Sequence, residues 1–481
     1  MKRKFATNLI LLLVLNLLVK PFWIFGIDRT VQNIVGAGEY GLFYSLFNFS
    51  LLFNIILDLG LTSYNNREIS RHSQLLSKYL SNIVVLKFTL SILYTAFCLG
   101  VALIMGYDRR QVFILLFLVI NQFLSSFILY FRSNLSGLQL FKTDSILSVL
   151  DRVLMIAICS LLIWGSIFNI HFTIEWFVFA QTGSYMVTFL VAFLLVYLKT
   201  DFFNLRFDRT FLLSIIRQSY PFAILALLMN IYSRIDSVML ERILPGGNVE
   251  SGIYAQAFRI VDALNMVPFL FAGLLLPILS KMIKHNESVQ SFIGFAFSLL
   301  FLPAFAFSVS CIAYRYDIMQ ILYHLHATES SQVLGILMAS FLLISITYIF
   351  GTLLTANGNI KYLNTISLAG VVISISINLL LIPYYKSLGS AIANLITQLV
   401  IVILQVVYSF KIFKFQVSFH RYRNYPVFII LSIGFVIFIK MAIANWLWGI
   451  TLSLVGIYTI GILLKLIRIR ELFRILLYEK D

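Results

Sequence analysis

The sequence predicts an all-α polytopic membrane protein with about fourteen transmembrane helices. Three observations carry that prediction. Sixty per cent of the 481 residues are apolar and 12% are charged, with a mean hydropathy of +0.94, too little polar surface to cover a soluble fold of this length. The apolar residues fall into runs of about twenty, the length that crosses a ~30 Å hydrocarbon layer at 1.5 Å per residue. The segments between runs are short, and Lys and Arg are alternately plentiful and scarce from one segment to the next.

The runs place spans at about 7–27, 40–62, 80–104, 112–131, 146–168, 174–197, 218–240, 254–280, 290–313, 334–356, 362–382, 388–410, 425–445 and 447–467. Lys2, Arg3 and Lys4 precede the first run as in a signal peptide. That run has no small-residue cleavage site and many spans follow, so it reads as a retained first helix. With the N-terminus in the cytoplasm, 24 of the 36 Lys and Arg residues fall in inner segments, 7 in outer segments and the other 5 within spans. The opposite orientation would invert the ratio, so both termini are expected in the cytoplasm. This distribution also accounts for most of the net charge of +16. The basic residues form no single tract, so nucleic acid is not an expected partner.

An internal repeat divides the chain. Asn16 and Lys20 in the first span are four residues apart, as are Asn230 and Arg234 in the seventh. Gly41-Leu42-Phe43-Tyr44-Ser45-Leu46-Phe47 opens the second span, and Gly252-Ile253-Tyr254-Ala255-Gln256-Ala257-Phe258 opens the eighth. Gln139-Leu140-Phe141-Lys142 follows the fourth span and Gly358-Asn359-Ile360-Lys361 the tenth. Six helices per half is an even number, so both halves enter the membrane in the same direction. The expectation is two six-helix lobes, 1–200 and 201–415, related by a pseudo-twofold axis along the membrane normal, with a site between them. Residues 416–481 add two further helices and a basic tail.

No enzyme motif appears. The six histidines lie in loops or near membrane edges. Cys98, Cys159 and Cys311 lie in or beside apolar runs without metal-ligand spacing. There is no glycine loop followed by Lys-Ser/Thr for nucleotide phosphates. No catalytic residue, metal or cofactor is therefore expected, and the longest outer loop, about 314–333, is short for a polymerase or ligase.

Ionisable groups within spans are costly and usually face a bundle interior or a wet cavity. Lys20 and Arg234 occupy equivalent repeat positions, each with an Asn one turn earlier, Asn16 and Asn230. Projecting into a cavity they would attract a phosphorylated ligand, Arg through bidentate bonds to phosphate oxygens; helix-packing glue is the rival reading. Arg259 is a further candidate cavity cation, although Asp262, three residues on, offers it a structural ion pair. Asp58, Asp236 and Asp262 are the candidate ion-coupling or structural acids. Lys87, Asp58 and Arg152 are near enough to an interface to snorkel. Pro21, Pro221 and Pro268 are placed to kink helices that line a cavity.

The motifs Gly38-Glu39-Tyr40-Gly41, Leu57-Asp58-Leu59-Gly60-Leu61, Arg234-Ile235-Asp236, Gly252-Ile253-Tyr254-Ala255 with Arg259 after it, Ala356-Asn357-Gly358, Asn378 to Ile382-Pro383 and Leu388-Gly389-Ser390-Ala391 resemble the bacterial polysaccharide (O-antigen and capsule) flippases of the multidrug/oligosaccharidyl-lipid/polysaccharide exporter superfamily. The resemblance covers essentially the whole chain and marks a family more than a substrate. It implies a MATE-like fold of two lobes with twelve core helices and alternating access. It implies a cargo of undecaprenyl-pyrophosphate-linked oligosaccharide, flipped from the cytoplasmic to the outer leaflet for O-antigen lipopolysaccharide, capsule or exopolysaccharide assembly. A coupling ion, H+ or Na+, and a polysaccharide polymerase partner belong to the same expectation. No family-wide ion-coupling carboxylate is evident here. A drug or cation antiporter and a lipid II flippase are the alternatives; an antiporter calls for a cavity rich in carboxylates, whereas this one leans basic.

Overall fold

The computed structural model describes residues 15–466 apart from 17, 73, 75, 166–171, 204–208 and 416–422. The Lys2, Arg3 and Lys4 cluster and the basic C-terminal tail lie outside the described residues. Every described segment of regular structure is helical. Backbone groups in a hydrocarbon layer must bond within their own segment, and helices do so. Eleven described helices are long and apolar enough to cross a membrane. One of them is 54 residues long, about 81 Å at 1.5 Å per residue, and it breaks into two arms at Lys386, where φ is 50°. The chain forms two compact units, 1–255 and 256–481, and each is described by itself.

In the first unit, α1 comprises residues 15–16 and 18–28, its last six, Trp23–Asp28, in a π-helical turn. It passes without a loop into α2, Arg29–Leu52, which kinks at Gly36 with φ 80°, a conformation glycine adopts without steric cost. This corrects the sequence expectation, which ended the first span at residue 27 and left Asp28 and Arg29 in an outer loop. The polar residues there stay helical because they satisfy one another. Asp28, only 1% exposed, accepts hydrogen bonds from Tyr40 Oη at 2.8 Å and Gln32 Nε2 at 3.1 Å. After α2 the helix tightens into a 3-10 turn, Asn54–Leu57, and restarts as α3, Leu61–Arg71.

Next come α4 (Leu76–Ile104), α5 (Arg109–Gly137), α6 (Phe141–Trp164), α7 (Ile174–Tyr197) and α8 (Arg209–Ile243). Asp108 starts α5 with a capping box: its side chain accepts from Gln111 N at 2.8 Å and its own N–H donates to Gln111 Oε1 at 3.0 Å. Lipid gives apolar side chains little reason to leave it, so helices here associate through close packing. Phe123, Phe127 and Phe131 on α5 pack against Phe189 and Phe193 on α7 at centroid distances of 5.6–6.4 Å. At the start of α9 (Gly247–Lys284) the first unit ends.

The second unit contains the rest of α9, then α10 (Gln290–Ala313), α11 (Arg315–Leu322), α12 (Ala327–Ala356), the two-armed α13 (Ile360–Phe413), α14 (Asn424–Ala442) and α15 (Trp446–Leu463). The α14–α15 hairpin packs on α10. Phe301 and Phe305 of α10 meet Phe428 of α14, and Gly461 of α15 leaves room for Leu302. Ser390 on the second arm of α13 donates to Asn378 Oδ1 on the first at 2.8 Å.

One buried charge pair fixes the break after α2. Lys87 is near enough to an interface in the sequence to snorkel. Instead it is fully buried and its ammonium donates to Leu57 O at 3.0 Å, Asp58 Oδ1 at 3.1 Å and Ser126 Oγ at 2.7 Å. The carbonyl of Leu57 is free to accept because the helix is interrupted there. Asp58, 29% exposed on its side chain, also accepts from the Thr62 hydroxyl. Removing one partner of a buried pair strands the other. Asp58→Asn should therefore destabilise the protein by roughly 3–5 kcal/mol, and Lys87→Met by less, because Asp58 can hydrate. The check is thermal melting in detergent; equal melting of both variants and wild type would show that the pair does not hold this break.

Candidate functional site: a cationic cluster in the first unit

Asn16 on α1 donates to Ser148 Oγ on α6 at 3.1 Å. Four residues further along each helix stand Lys20 and Arg152, so the same docking brings two cations level with each other. Among the described residues, Arg152, Asp151 and Arg132 lie near enough for their charges to act on the Lys20 ammonium. Arg152 has its guanidinium 5.5 Å from the Trp23 ring centroid and 6.0 Å from that of Tyr185. It donates to Tyr185 Oη at 3.3 Å and lies 3.5 Å from Asp151 Oδ2. Arg132 is neutralised by Asp144 at 2.7 Å. Among the described residues, three cations thus stand with two carboxylates in this cluster, one more positive charge than negative. An excess charge in an apolar layer is expensive, and an anion is the ligand that offsets it. Guanidinium and ammonium groups side by side suit phosphate oxygens, and the Trp23 and Tyr185 rings supply flat apolar walls.

The other residues singled out by sequence take defined places. On α8, Arg234 Nη1 donates to Asn48 Oδ1 on α2 at 3.0 Å, and Asn230 Nδ2 donates to Asn54 Oδ1 at 3.2 Å. Asp236 is buried and accepts from Tyr254 Oη at 2.8 Å. Asp58 is engaged by Lys87. In the second unit Arg259 Nη1 lies 3.7 Å from Asp262 Oδ2, the ion pair that their i,i+3 spacing anticipates. Three contributors escaped the sequence reading. Asp28 was hidden because a hydropathy run ends at polar residues even when the helix does not. The partnership of Arg152 with Lys20 depends on α1 docking against α6, which no local spacing shows. Trp23 was one aromatic among many.

A second charged assembly stands at the helix ends near Asp108. Arg110 on α5 donates to Glu39 on α2 at 2.5–2.9 Å and to Glu175 on α7 at 2.7–2.9 Å. Gln111 donates to Glu241 of α8 at 2.7 Å, Glu241 pairs with Arg242, and the Arg242 guanidinium sits 4.2 Å from the Tyr107 ring centroid. Burial, helped by the Glu241 carboxylate, holds the Tyr107 phenol well above its usual pKa, so it stays a neutral platform for that cation. A cavity of about 480 Å³ opens here, lined by Gly38, Glu39, Arg110, Gln111, Asn248 and Val249 among others.

Comparison with known proteins places this architecture. The family described as "Polysaccharide biosynthesis protein" matches residues 5–283, more than half of the chain. No curated protein matches. Among solved structures, the lipid II flippase MurJ in an inward closed conformation is similar at 13% identity, with 97% of this chain and 100% of that chain covered and a TM-score of 0.72. An inward-facing multidrug resistance MATE family transporter of the MOP superfamily is similar at 15% identity, with 84% and 96% covered and a TM-score of 0.63. A MOP superfamily transporter from Pyrococcus furiosus, described as having a binding pocket of reverse polarity, matches at 14% identity, with 85% and 94% covered and a TM-score of 0.55. At such identities the likeness is one of fold. The chain is a multi-pass helical membrane protein that belongs to the polysaccharide biosynthesis protein family and carries a MATE/MurJ-like fold.

Proposed function

We propose that this protein is a flippase that carries undecaprenyl-pyrophosphate-linked oligosaccharide units from the cytoplasmic to the outer leaflet of a bacterial plasma membrane by alternating access. The observation that carries the proposal is the excess positive charge shared by Lys20 and Arg152 beside two aromatic rings. A lipid-linked diphosphate presents the complementary anion, and the lipid tail needs no aqueous route. Family membership supports a role in polysaccharide assembly, and similarity to a lipid II flippase supports the flipping of lipid-linked sugars. O-antigen, capsule and exopolysaccharide units share this chemistry. Lys20 and Arg152 would hold the diphosphate, with Arg234 and Arg259 as further cavity cations once the α2–α8 contact and the Asp262 pair rearrange.

In this reading both termini are cytoplasmic, following the 24 to 7 distribution of basic residues. The lobes are 1–200 and 201–415, with 416–481 as an addition. The protein performs no covalent chemistry; a polymerase would act on its product. Asp28 and Asp236, both buried and each hydrogen-bonded to a tyrosine, are better placed than the Lys87-bound Asp58 to bind a coupling H+ or Na+. A cation or drug antiporter of the same fold would want the opposite sign of charge around Lys20.

The proposal predicts that Lys20→Gln abolishes surface polysaccharide in a producing host while Lys20→Arg retains most of it; equal activity of the two would remove the charge argument. Arg234→Ala should reduce surface polysaccharide at normal membrane abundance, and an unchanged level would exclude Arg234 from the cargo path. Asp151→Asn removes a competing carboxylate. It should tighten binding of inorganic pyrophosphate to the purified protein about two- to tenfold, seen as a larger thermal shift, whereas weaker binding would contradict an anion site there.

A further inference from the structure

At one side of the second unit, helix ends gather their cations around a single apolar cluster. Leu279 and Ile283 of α9, Ile293 of α10, Leu353 of α12 and Phe410 and Phe413 of α13 pack together there. The first arm of α13 begins and the second ends at this side, since the Tyr362 ring meets the Tyr408 ring at a centroid distance of 5.0 Å. Lys281 and Lys284 therefore stand at the rim of the cluster with Lys361, Lys411 and Lys414, and all five are exposed. Within 281–290, 355–365 and 405–415 the one carboxylate is Glu287. Among the described residues, no ion pair or hydrogen bond engages any of the five ammonium groups. Lys87, Arg110, Arg132, Arg242 and Arg259, by contrast, each meet a carboxylate.

Helix dipoles account for only part of this set. Lys281 and Lys284 lie in the last turn of α9 and Lys411 in the last turn of α13, where the dipole favours a cation. Lys361 lies in the first turn of α13, where the dipole opposes one. Lys414 closes α13 with φ 50°, in the left-handed region where glycine is the unstrained choice. Phe415 beyond it folds back against Phe410 and Phe413 at centroid distances of 5.4 and 5.6 Å. A lysine thus stands where the backbone is better served by glycine, and another where its own helix repels it. Their position is what they share. Lys361 adjoins Tyr362, and Lys411 stands one turn beyond Tyr408 towards Lys414. Tyrosine settles at the headgroup level of a bilayer, and these helices are long and apolar enough to cross one. Phosphates are the anions at that level, and lysines on the cytoplasmic side, where these five are expected, are drawn to anionic lipid.

We propose that this rim is a binding site for the headgroup of an anionic phospholipid, its phosphate bridging Lys361 on one arm of α13 to Lys411 and Lys414 on the other. A soluble polyanion would meet the charges but make no use of the tyrosine pair or of the exposed apolar sides of the same helices, Leu368 and Val407 among them. The site is separate from the cargo cluster, so Lys20→Gln should leave lipid binding unchanged. Native mass spectrometry and thermal shift of the full chain in detergent give its affinity for phosphatidylglycerol and for zwitterionic phosphatidylcholine. Phosphatidylglycerol should bind at least tenfold more tightly. Lys361→Gln, Lys411→Gln and Lys414→Gly together should lower its affinity at least tenfold, on a scale of about fivefold per lysine. Without lipid this variant should melt no lower than wild type, because glycine relieves the left-handed residue. Arginine at the same three positions should retain binding. Lys78→Gln, Lys142→Gln and Lys199→Gln, made at exposed lysines of the first unit, remove equal charge and should leave the affinity within about twofold. Equal affinity for the two lipids, an equal loss in the first-unit variant, lower melting without lipid, or a loss that arginine does not restore would overturn the proposal. Inorganic pyrophosphate bound by these lysines more tightly than phosphatidylglycerol would assign the rim to a soluble phosphate and overturn it too. If the triple variant fails to accumulate, Lys361→Gln alone decides, with a loss of about fivefold expected and an unchanged affinity contradicting the site.

Discussion

In a hydrocarbon layer a charge cannot be left to water, so each ionised group has to find its counter-charge or donors inside the protein. Much of the first unit follows from meeting that demand. Lys87 is met by Asp58, Ser126 and the carbonyl released where the helix breaks after α2. Arg132 is met by Asp144. Asp28 is met by Tyr40 and Gln32, which keeps the chain helical through a stretch that reads as a loop. The cluster around Lys20 and Arg152 departs from this pattern by carrying one more cation than its carboxylates neutralise. Against a background of satisfied charges, that excess among the described residues is the feature on which the proposed anion site rests.

The same constraint separates supporting polar groups from working ones. Lys87 and Asp58 neutralise each other and pin a backbone break, so their value is structural. Arg259 and Asp262 likewise close on each other. Asn16 bonds Ser148 and so sets the height at which Lys20 meets Arg152; it positions a cation and bears no charge itself. Arg234 occupies a middle position, hydrogen-bonded to Asn48 in the α2–α8 seam and released only if that seam parts.

The spans were legible because runs of about twenty apolar residues have few other uses; the 24 to 7 bias of basic residues adds an expected orientation. The i,i+4 pair Asn16 and Lys20 was legible because helical spacing puts both on one face. Legibility ended where satisfaction is tertiary. Asp28 and Arg29 look like loop residues until Tyr40 folds back across the kink at Gly36. Lys87 looks able to snorkel until the break at Leu57 supplies an acceptor. Arg152 gains its partners Lys20 and Trp23 only from α1 lying on α6. The repeat pointed to Gly41 and Gly252 as equivalents, yet nothing in the spacing showed that a Cβ on Gly41 would lie 2.5 Å from the amide nitrogen of Gly252.

The measurement that bears most directly on this account is a structure of the protein in nanodiscs with an undecaprenyl-diphosphate-linked sugar bound. The account predicts diphosphate density within hydrogen-bonding reach of both Lys20 Nζ and the Arg152 guanidinium, with the cluster otherwise arranged as seen here. Diphosphate bound elsewhere, with Lys20 and Arg152 remote from any phosphate oxygen, would contradict it.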